Sequence, residues 1–282
     1  MTEMSIQVIT AVMEPGDELL QTALSIRSQT HQYWRWYIAN GGSICASLAK
    51  IIELNDPRIV INSQHDSGIY DAWNKACSNT MADWTIFLGS GDKLSEATVL
   101  EQTSSQLKAL DPSQPRIAFG WCRLISHRTG QILRVQKNDW VKMQGKYRYG
   151  KPSLPIHPET FHSAGLLNCE KPFETSFSVA GDVDVMLRAL RYSKPISLPY
   201  VISDVITGGV SQDPMAGFRI YKEVRLACAR NDFHLPIYVR VIEYIRTGVK
   251  YFANRLIGKS MYEKTKEVLL SRFFDRSNGA KT

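Results

Sequence analysis

The chain predicts an α/β fold: a Rossmann-like mixed, mainly parallel sheet with flanking helices, followed by a helical C-terminal tail. Three observations predict it. Between Ser5 and Leu88, short apolar runs alternate with segments whose apolar residues recur at helical spacing, joined by short turns; this is the pattern of parallel strands covered on both faces. After Arg116 the alternation gives way to two runs that pair around Arg128-Thr129-Gly130. Beyond Ala216 only helical spacing remains.

Ser5 to Val12 reads as the first buried strand. Asp17 is positioned to cap a helix reaching Gln29, with Leu20, Ala23, Leu24 and Ile26 as apolar positions. Trp34 to Ala39 is a second strand, ended by Asn40-Gly41-Gly42-Ser43, and a helix follows over Ala46 to Leu54. Arg58 to Asn62 is a third strand, Ile69 to Ser78 a helix and Trp84 to Leu88 a fourth strand. Ser95 is the expected cap of a helix running to about Leu110, with Glu96 in its first turn. Arg116 to Ile125 and Gln131 to Val135 read as paired strands, Pro158 to Leu167 and Val183 to Arg191 as helices, and Ile196 to Ile206 as a strand. Lys137 to Pro155 has no period. It mixes Trp140, Tyr147 and Tyr149 with Lys137, Lys142, Lys146, Arg148 and Lys151, and it reads either as a mobile lid over a site or as an exposed basic loop.

The 282 residues suffice for one large domain with a tail. We divide them into a domain over 1–214 and a basic helical extension over 215–282. The net charge is +7. The extension holds 14 Lys/Arg and 6 Asp/Glu, a balance of +8, which leaves −1 for the domain. The five cysteines (Cys45, Cys77, Cys122, Cys169 and Cys228) are scattered and form no CxxC pair. Neither a disulfide framework nor a zinc site is expected, and a reducing compartment fits. Met1 to Gln7 lacks the basic start and apolar core of a leader, and no 18-residue apolar run exists. A cytoplasmic location is the expectation.

Dinucleotide-dependent dehydrogenases, P-loop enzymes and serine hydrolases are disfavoured, because GxGxxG, Walker A and GxSxG sequences are all missing. The polar residues concentrate between Ser63 and Asp92, where an apolar strand stops at the carboxylate of Gly89-Ser90-Gly91-Asp92. In open α/β sheets ligands sit beyond the carboxyl ends of strands. A carboxylate there can hold a metal ion, and helix starts there can hold phosphate.

The strand Ser5 to Val12, the pair Gln29-Thr30, Asn40-Gly41-Gly42-Ser43, the run from Asp66 to Lys75 and Phe87-Leu88-Gly89-Ser90-Gly91-Asp92 stand in this order. His157-Pro158-Glu159-Thr160-Phe161, Ala180-Gly181-Asp182-Val183-Asp184 and Gly208-Gly209-Val210-Ser211 follow. In order and spacing the eight segments resemble family 2 glycosyltransferases of the GT-A fold, of the bacterial polysaccharide-building type, across residues 5–211. The resemblance implies an inverting transferase that moves a sugar from a nucleotide-sugar donor, UDP-linked, to a glycan or polyprenyl-linked acceptor in surface polysaccharide biosynthesis.

It further implies a divalent cation, Mn²⁺ or Mg²⁺, held by Asp92 at the end of a Ser90-Gly91-Asp92 motif, with His157 in reach of the metal shell. Asp66 falls near the base or ribose, and Asp71, Asn74 and Lys75 fall at the pocket wall. Thr10 and Asn40 complete the donor-binding set. Asp182 matches the base that deprotonates the acceptor. Read from the residues alone, Asp66, Asp71 and Asp182 can equally cap helices, Lys75 can be solvated, Asp184 favours a helix dipole and Gly91-Asp92 can be a turn. The chain departs from the family at two places where acids are usual: it has Asn40 and Cys45. A nucleotide-sugar-binding protein without turnover is therefore an alternative. A nucleic-acid-binding protein using the basic tail is a second alternative, although the tail shows no RRM, zinc-finger or helix-turn-helix signature and nucleic acid is not the expected partner.

In that tail, Val241, Tyr244, Ile245, Val249 and Phe252 recur at helical spacing among Arg240, Arg246, Lys250 and Arg255, and Arg272-Phe273-Phe274-Asp275-Arg276 repeats the mixture. Two readings stand. The helix lies peripherally on an anionic membrane surface, at the inner face of the plasma membrane, or its apolar face packs on the domain and its cations are solvated.

Overall fold

A computed structural model describes residues 3–78, 82–148, 151–209 and 213–278. In chain order the elements are β1 (Ile6–Val12), α1 (Glu18–Arg27), β2 (Trp34–Asn40), α2 (Ala46–Glu53), β3 (Ile59–Ser63), α3 (Ile69–Ser78), β4 (Trp84–Phe87) and β5 (Lys93–Leu94). There follow α4 (Val99–Leu107), β6 (Ile117–Ile125), β7 (Ile132–Gln136), α5 (Trp140–Met143), β8 (Tyr147–Arg148), β9 (Lys151–Pro152), β10 (Thr160–Ser163) and α6 (Ala164–Leu167). The chain closes with α7 (Gly181–Tyr192), β11 (Ile196–Ile206), α8 (Gly217–Arg230), α9 (Ile237–Ile257) and α10 (Lys259–Asn278).

The main sheet runs β3-β2-β1-β4-β10-β6-β11-β5, with β7 on β6. β1 pairs in parallel with β2 and β4, β2 with β3, and β6 with β11, whereas β10 is antiparallel to both β4 and β6. The carboxyl ends of β1, β2, β3, β4 and β11 therefore open on one edge. Two apolar clusters hold the layers. One, with Trp36, Trp84 and Leu19, lies under α1, α2 and α4. The other, with Phe87, Phe173, Val185 and Met186, lies under α3 and α7 and draws Val224, Ala227 and Cys228 from α8. Each large side chain so buried contributes roughly 1.5–3 kcal/mol.

The first four strands and three helices lie where the apolar runs place them. Two later expectations need correction. Residues 158–167 are not one helix: a 3₁₀ turn over His157–Glu159 leads into β10 and then into α6. Thr160, Phe161, His162 and Ser163 are all buried between β4 and β6, so long-range pairing decides their conformation. Ser95 does not cap α4. Its hydroxyl donates to Val201 O (2.6 Å), Thr98 stands at the cap and the helix begins at Val99.

The aperiodic loop has partial local structure. Asp139 caps α5 by accepting from the Val141 amide (2.8 Å), Trp140 N donates to Ser197 Oγ, β8 pairs with β9, and Met143 and Leu154 are buried. These contacts anchor the loop at its ends and at Met143, while Lys137, Lys142, Lys146 and Tyr147 are exposed, as in an exposed basic loop; Tyr149 lies outside the described residues.

Candidate active site

The loop after β4 carries Asp92. Gly91 has φ +91°, a conformation that suits glycine, and its amide donates to Thr22 Oγ1 on α1 (3.0 Å). Thr22 donates in turn to Asp92 O (2.8 Å). The Asp92 carboxylate is 7% exposed. Its Oδ2 accepts from Gly89 N (3.0 Å) and its Oδ1 from Ile206 N at the end of β11 (2.9 Å). Burial pushes its pKa up to about 6, with the Ile206 and Gly89 amides acting against the shift. Ser90 Oγ donates to Glu18 Oε1 (3.3 Å), and the Glu18 side chain lies against Gly91. Asp92 is therefore a keystone of its own loop, joined to the β11 end.

This arrangement can be tested against a divalent ion. Each Asp92 oxygen spends one lone pair on an amide and keeps another. Among the described residues no group of three His, Cys, Asp or Glu side chains is arranged to hold an ion. Magnesium-like ions bind through one or two carboxylates and take their other ligands from water and substrate phosphate. The donor set fits that mode and does not fit an ion caged by protein alone.

His157 takes a different place from the one expected. Its ring stacks on Phe87 (centroids 4.6 Å apart, 11°) and meets Trp73 at 4.8 Å and His162 at 4.7 Å. Both ring nitrogens are buried with no hydrogen-bond partner among the described residues, and burial lowers the pKa to about 3. The ring is a neutral member of an aromatic cluster. Behind it Glu159 is wholly buried, accepting from Asn138 Nδ2 and from Ile156 N (2.9 Å).

The opposite wall is built by β2, β3 and the start of α3. A recess there is lined by Tyr37, Asn62, Gln64, Asp66 and Lys75. Asp66 Oδ1 accepts from Gly68 N (3.0 Å), and its Oδ2 comes so close to Gly41 that a Cβ there would stand 2.3 Å away. Only glycine lets this carboxylate sit over the β2 turn. Asp71 accepts from Ser67 N (2.9 Å) and from Lys75 Nζ (3.0 Å), and Lys75 also donates to His65 O (2.7 Å). The Ser67 amide and Lys75 lower the Asp71 pKa.

Three residues expected to line the donor site are engaged in the fold instead. Thr10 is fully buried and accepts from Trp36 Nε1 (3.0 Å). Asn40 is 1% exposed; it donates to Gly42 O (2.8 Å) and Ser63 Oγ (3.0 Å) and accepts from Gly42 N (3.2 Å), closing the turn. Cys45, the other departure, donates to Pro15 O. Asn74 donates to Phe173 O (2.7 Å) and accepts from Phe173 N (2.8 Å). Asn74→Ala leaves both buried groups of Phe173 unpaired, so urea unfolding should show a loss of about 2 kcal/mol. Unchanged stability with weakened nucleotide binding would return Asn74 to the donor wall.

The start of α7 separates its two acids. Asp182 is half-buried in the first turn and its Oδ1 accepts from Val183 N (2.8 Å). Asp184 is buried; it accepts from Asn231 Nδ2 (2.9 Å) and lies 3.6 Å from Arg230 Nε. Burial raises its pKa, with Arg230 and Asn231 acting against that. The Tyr70 ring packs on Gly181, and burial, then the charge of Asp182, raises the phenol pKa. Glu223 of α8 accepts from the amides of Ser178, Val179 and Ala180 and from the Ser178 hydroxyl (2.6 Å). Burial opposes its charge, yet these donors outweigh it and the pKa is lowered. Glu18, Thr22 and Glu223 escaped the sequence reading. Each acts on a residue more than 40 positions away, and nothing local to them signals it.

Residues 7–168 match the model of glycosyl transferase family 2. An uncharacterized glycosyltransferase of Mycobacterium tuberculosis is 26% identical over 217 residues, 76% of this chain and 80% of the relative. A PGL/p-HBAD biosynthesis glycosyltransferase of Mycobacterium bovis is 26% identical over 174 residues, 61% of this chain and 63% of the relative. Among solved structures, S. aureus TarS 1-349 in complex with UDP-GlcNAc aligns with a TM-score of 0.58 at 10% identity, over 91% of this chain and 74% of that one. The TarS 1-349 crystal structure gives 0.60 at 11% identity, over 88% and 71%. At these identities the TarS likeness speaks for a shared fold.

Proposed function

The chain belongs to glycosyltransferase family 2, and we propose that it transfers a sugar from a UDP-linked donor to a glycan or polyprenyl-linked acceptor, with inversion at the anomeric carbon, in surface polysaccharide biosynthesis. The family match across residues 7–168 supports transfer, and the structurally similar TarS has been seen with UDP and UDP-GlcNAc. The observation that carries the residue assignment is the separation of the two acids on α7. Asp184 is buried against Arg230 and Asn231, while Asp182 stands half-open in the first turn.

In this reading Asp66 takes the base or ribose, because a carboxylate accepts from N–H and hydroxyl groups. Asp71 fixes Lys75 beside it. Asp92 would hold a Mn²⁺ or Mg²⁺ ion against the diphosphate, and such an ion stabilises the charge that grows on the leaving group. Asp182 accepts the acceptor's hydroxyl proton as the oxygen attacks the face opposite the diphosphate. Glu223 keeps the backbone before Asp182 in place.

Thermal shift with UDP, GDP, ADP and CDP, each with and without Mn²⁺, tests the donor half, since a ligand bound to the native state raises stability by mass action. UDP with Mn²⁺ should give the largest rise. A larger rise with another nucleotide, or none with any, contradicts the donor assignment.

A further inference from the structure

Helix α9 faces the wrong way for a tail helix that merely packs on its domain. Its buried residues are Val239, Glu243, Thr247 and Asn254, three of them polar. Tyr238, Ile242, Ile245, Val249, Phe252 and Leu256 are 59–84% exposed. Their spacing alternates four and three residues, so they form one stripe on the side of the helix away from the domain. The inward side is fixed by α8, where Phe218 meets Tyr244 and Tyr251 and Thr247 lies against Gly217.

An exposed apolar stripe of this length marks an interaction surface, and its borders decide the occupant. Arg246 and Arg255 lie on either side of the stripe by helical position. The only acid of α9, Glu243, is buried and paired with Arg246. α9 carries Arg240, Arg246, Lys250 and Arg255 against one acid, Glu243, already paired with Arg246, so a second copy would set two helices of the same net positive charge against each other. Anionic lipid head groups answer these cations directly, while the stripe enters the acyl boundary. Among the described residues no helix is long and apolar enough to cross a membrane, which leaves a helix lying in the surface.

We propose that the outward face of α9 docks this protein on anionic phospholipid, with Ile245, Val249 and Phe252 inserted and Arg246 and Arg255 at head-group level. Docking needs none of the residues assigned to transfer, so vesicle binding and sugar transfer are separate readouts. The test is co-sedimentation of the full chain with phosphatidylcholine vesicles and with vesicles containing 30% phosphatidylglycerol, at low and high salt (~50 and ~500 mM). At low salt, binding to the anionic vesicles should exceed binding to neutral ones by about tenfold or more, and high salt should reduce it. Ile245→Asp with Phe252→Asp should abolish binding, and Arg246→Glu with Arg255→Glu should remove the anionic preference. Both variants should keep donor turnover in solution, and Ile245→Asp with Phe252→Asp should also keep the wild-type thermal midpoint, whereas Arg246→Glu gives up the pair with buried Glu243 and lowers it. Equal binding to both vesicle types, or undiminished binding by the Ile245→Asp/Phe252→Asp variant, overturns the proposal. So does a wild-type dimer that this variant converts to a monomer while neither binds vesicles.

Discussion

Asp182→Asn should lower sugar transfer by at least ~100-fold, the scale on which a general base acts, with UDP binding nearly unchanged. The carboxylate lies in the first turn of α7, half-buried, with one oxygen on the Val183 amide. The asparagine keeps the shape and loses the proton acceptor. Asp184→Asn tests the same assignment from the other side. Asp184 is buried beside Arg230 and Asn231, so its substitution should weaken the docking of α8 on α7, read as a lower unfolding midpoint, with far less effect on turnover. An inactive Asp184 variant beside an active Asp182 variant would reverse the roles.

Asp92→Ala carries the second large effect, and it has two components. The substitution leaves the buried amides of Gly89 and Ile206 without an acceptor, each worth about 1–3 kcal/mol, partly offset by removal of a buried carboxylate. The fold is therefore weakened as well as the site, in contrast to the behaviour of a carboxylate that only awaits an ion. Asp92→Asn does not rescue it, because its amide NH₂ must face one of the two donors. Calorimetry on the folded fraction should show that Mn²⁺ no longer tightens UDP binding; an undiminished Mn²⁺ effect would remove Asp92 from the ion.

The pH dependence follows from the pKa of about 6. The folded value lies above the ordinary 3.8, so the stability this group contributes is present below 3.8 and is lost as pH rises through about 6. The Mn²⁺ effect on UDP binding has the opposite sense and should decline as pH falls through about 6, where the carboxylate takes up its proton.

The parallel half of the sheet is legible in the sequence because β1, β2 and β4 are nearly unbroken apolar runs. Each stops at a turn rich in glycine, proline or acid, and no distant contact is needed to place them. Thr160 to Ser163 is not legible. Pro158 suits a helix start and Leu166-Leu167 suits a helix face, while the strand between them exists because β4 and β6 leave an unfilled slot. That Asp66 follows β3, Asp92 follows β4 and Asp182 opens α7 could be anticipated from strand ends and helix starts. What each polar side chain does there could not. Thr10, Asn40 and Asn74 are the right residue types for a nucleotide pocket, yet they are consumed by Trp36, by the β2 turn and by Phe173. Sequence spacing also registers the amphipathic character of α9, but only the packing of Glu243, Thr247 and Asn254 on the domain shows that its apolar side faces out.

Inverting transfer from a UDP-linked sugar is tested most directly by watching the anomeric carbon. With water in place of the acceptor, proton NMR of the full chain turning over UDP-sugars with Mn²⁺ reports the first anomer released. The β-anomer should appear first from an α-linked donor, at a rate that Asp182→Asn abolishes. Release of the α-anomer first, or a rate that Asp182→Asn leaves intact, would contradict single-step displacement with Asp182 as its base.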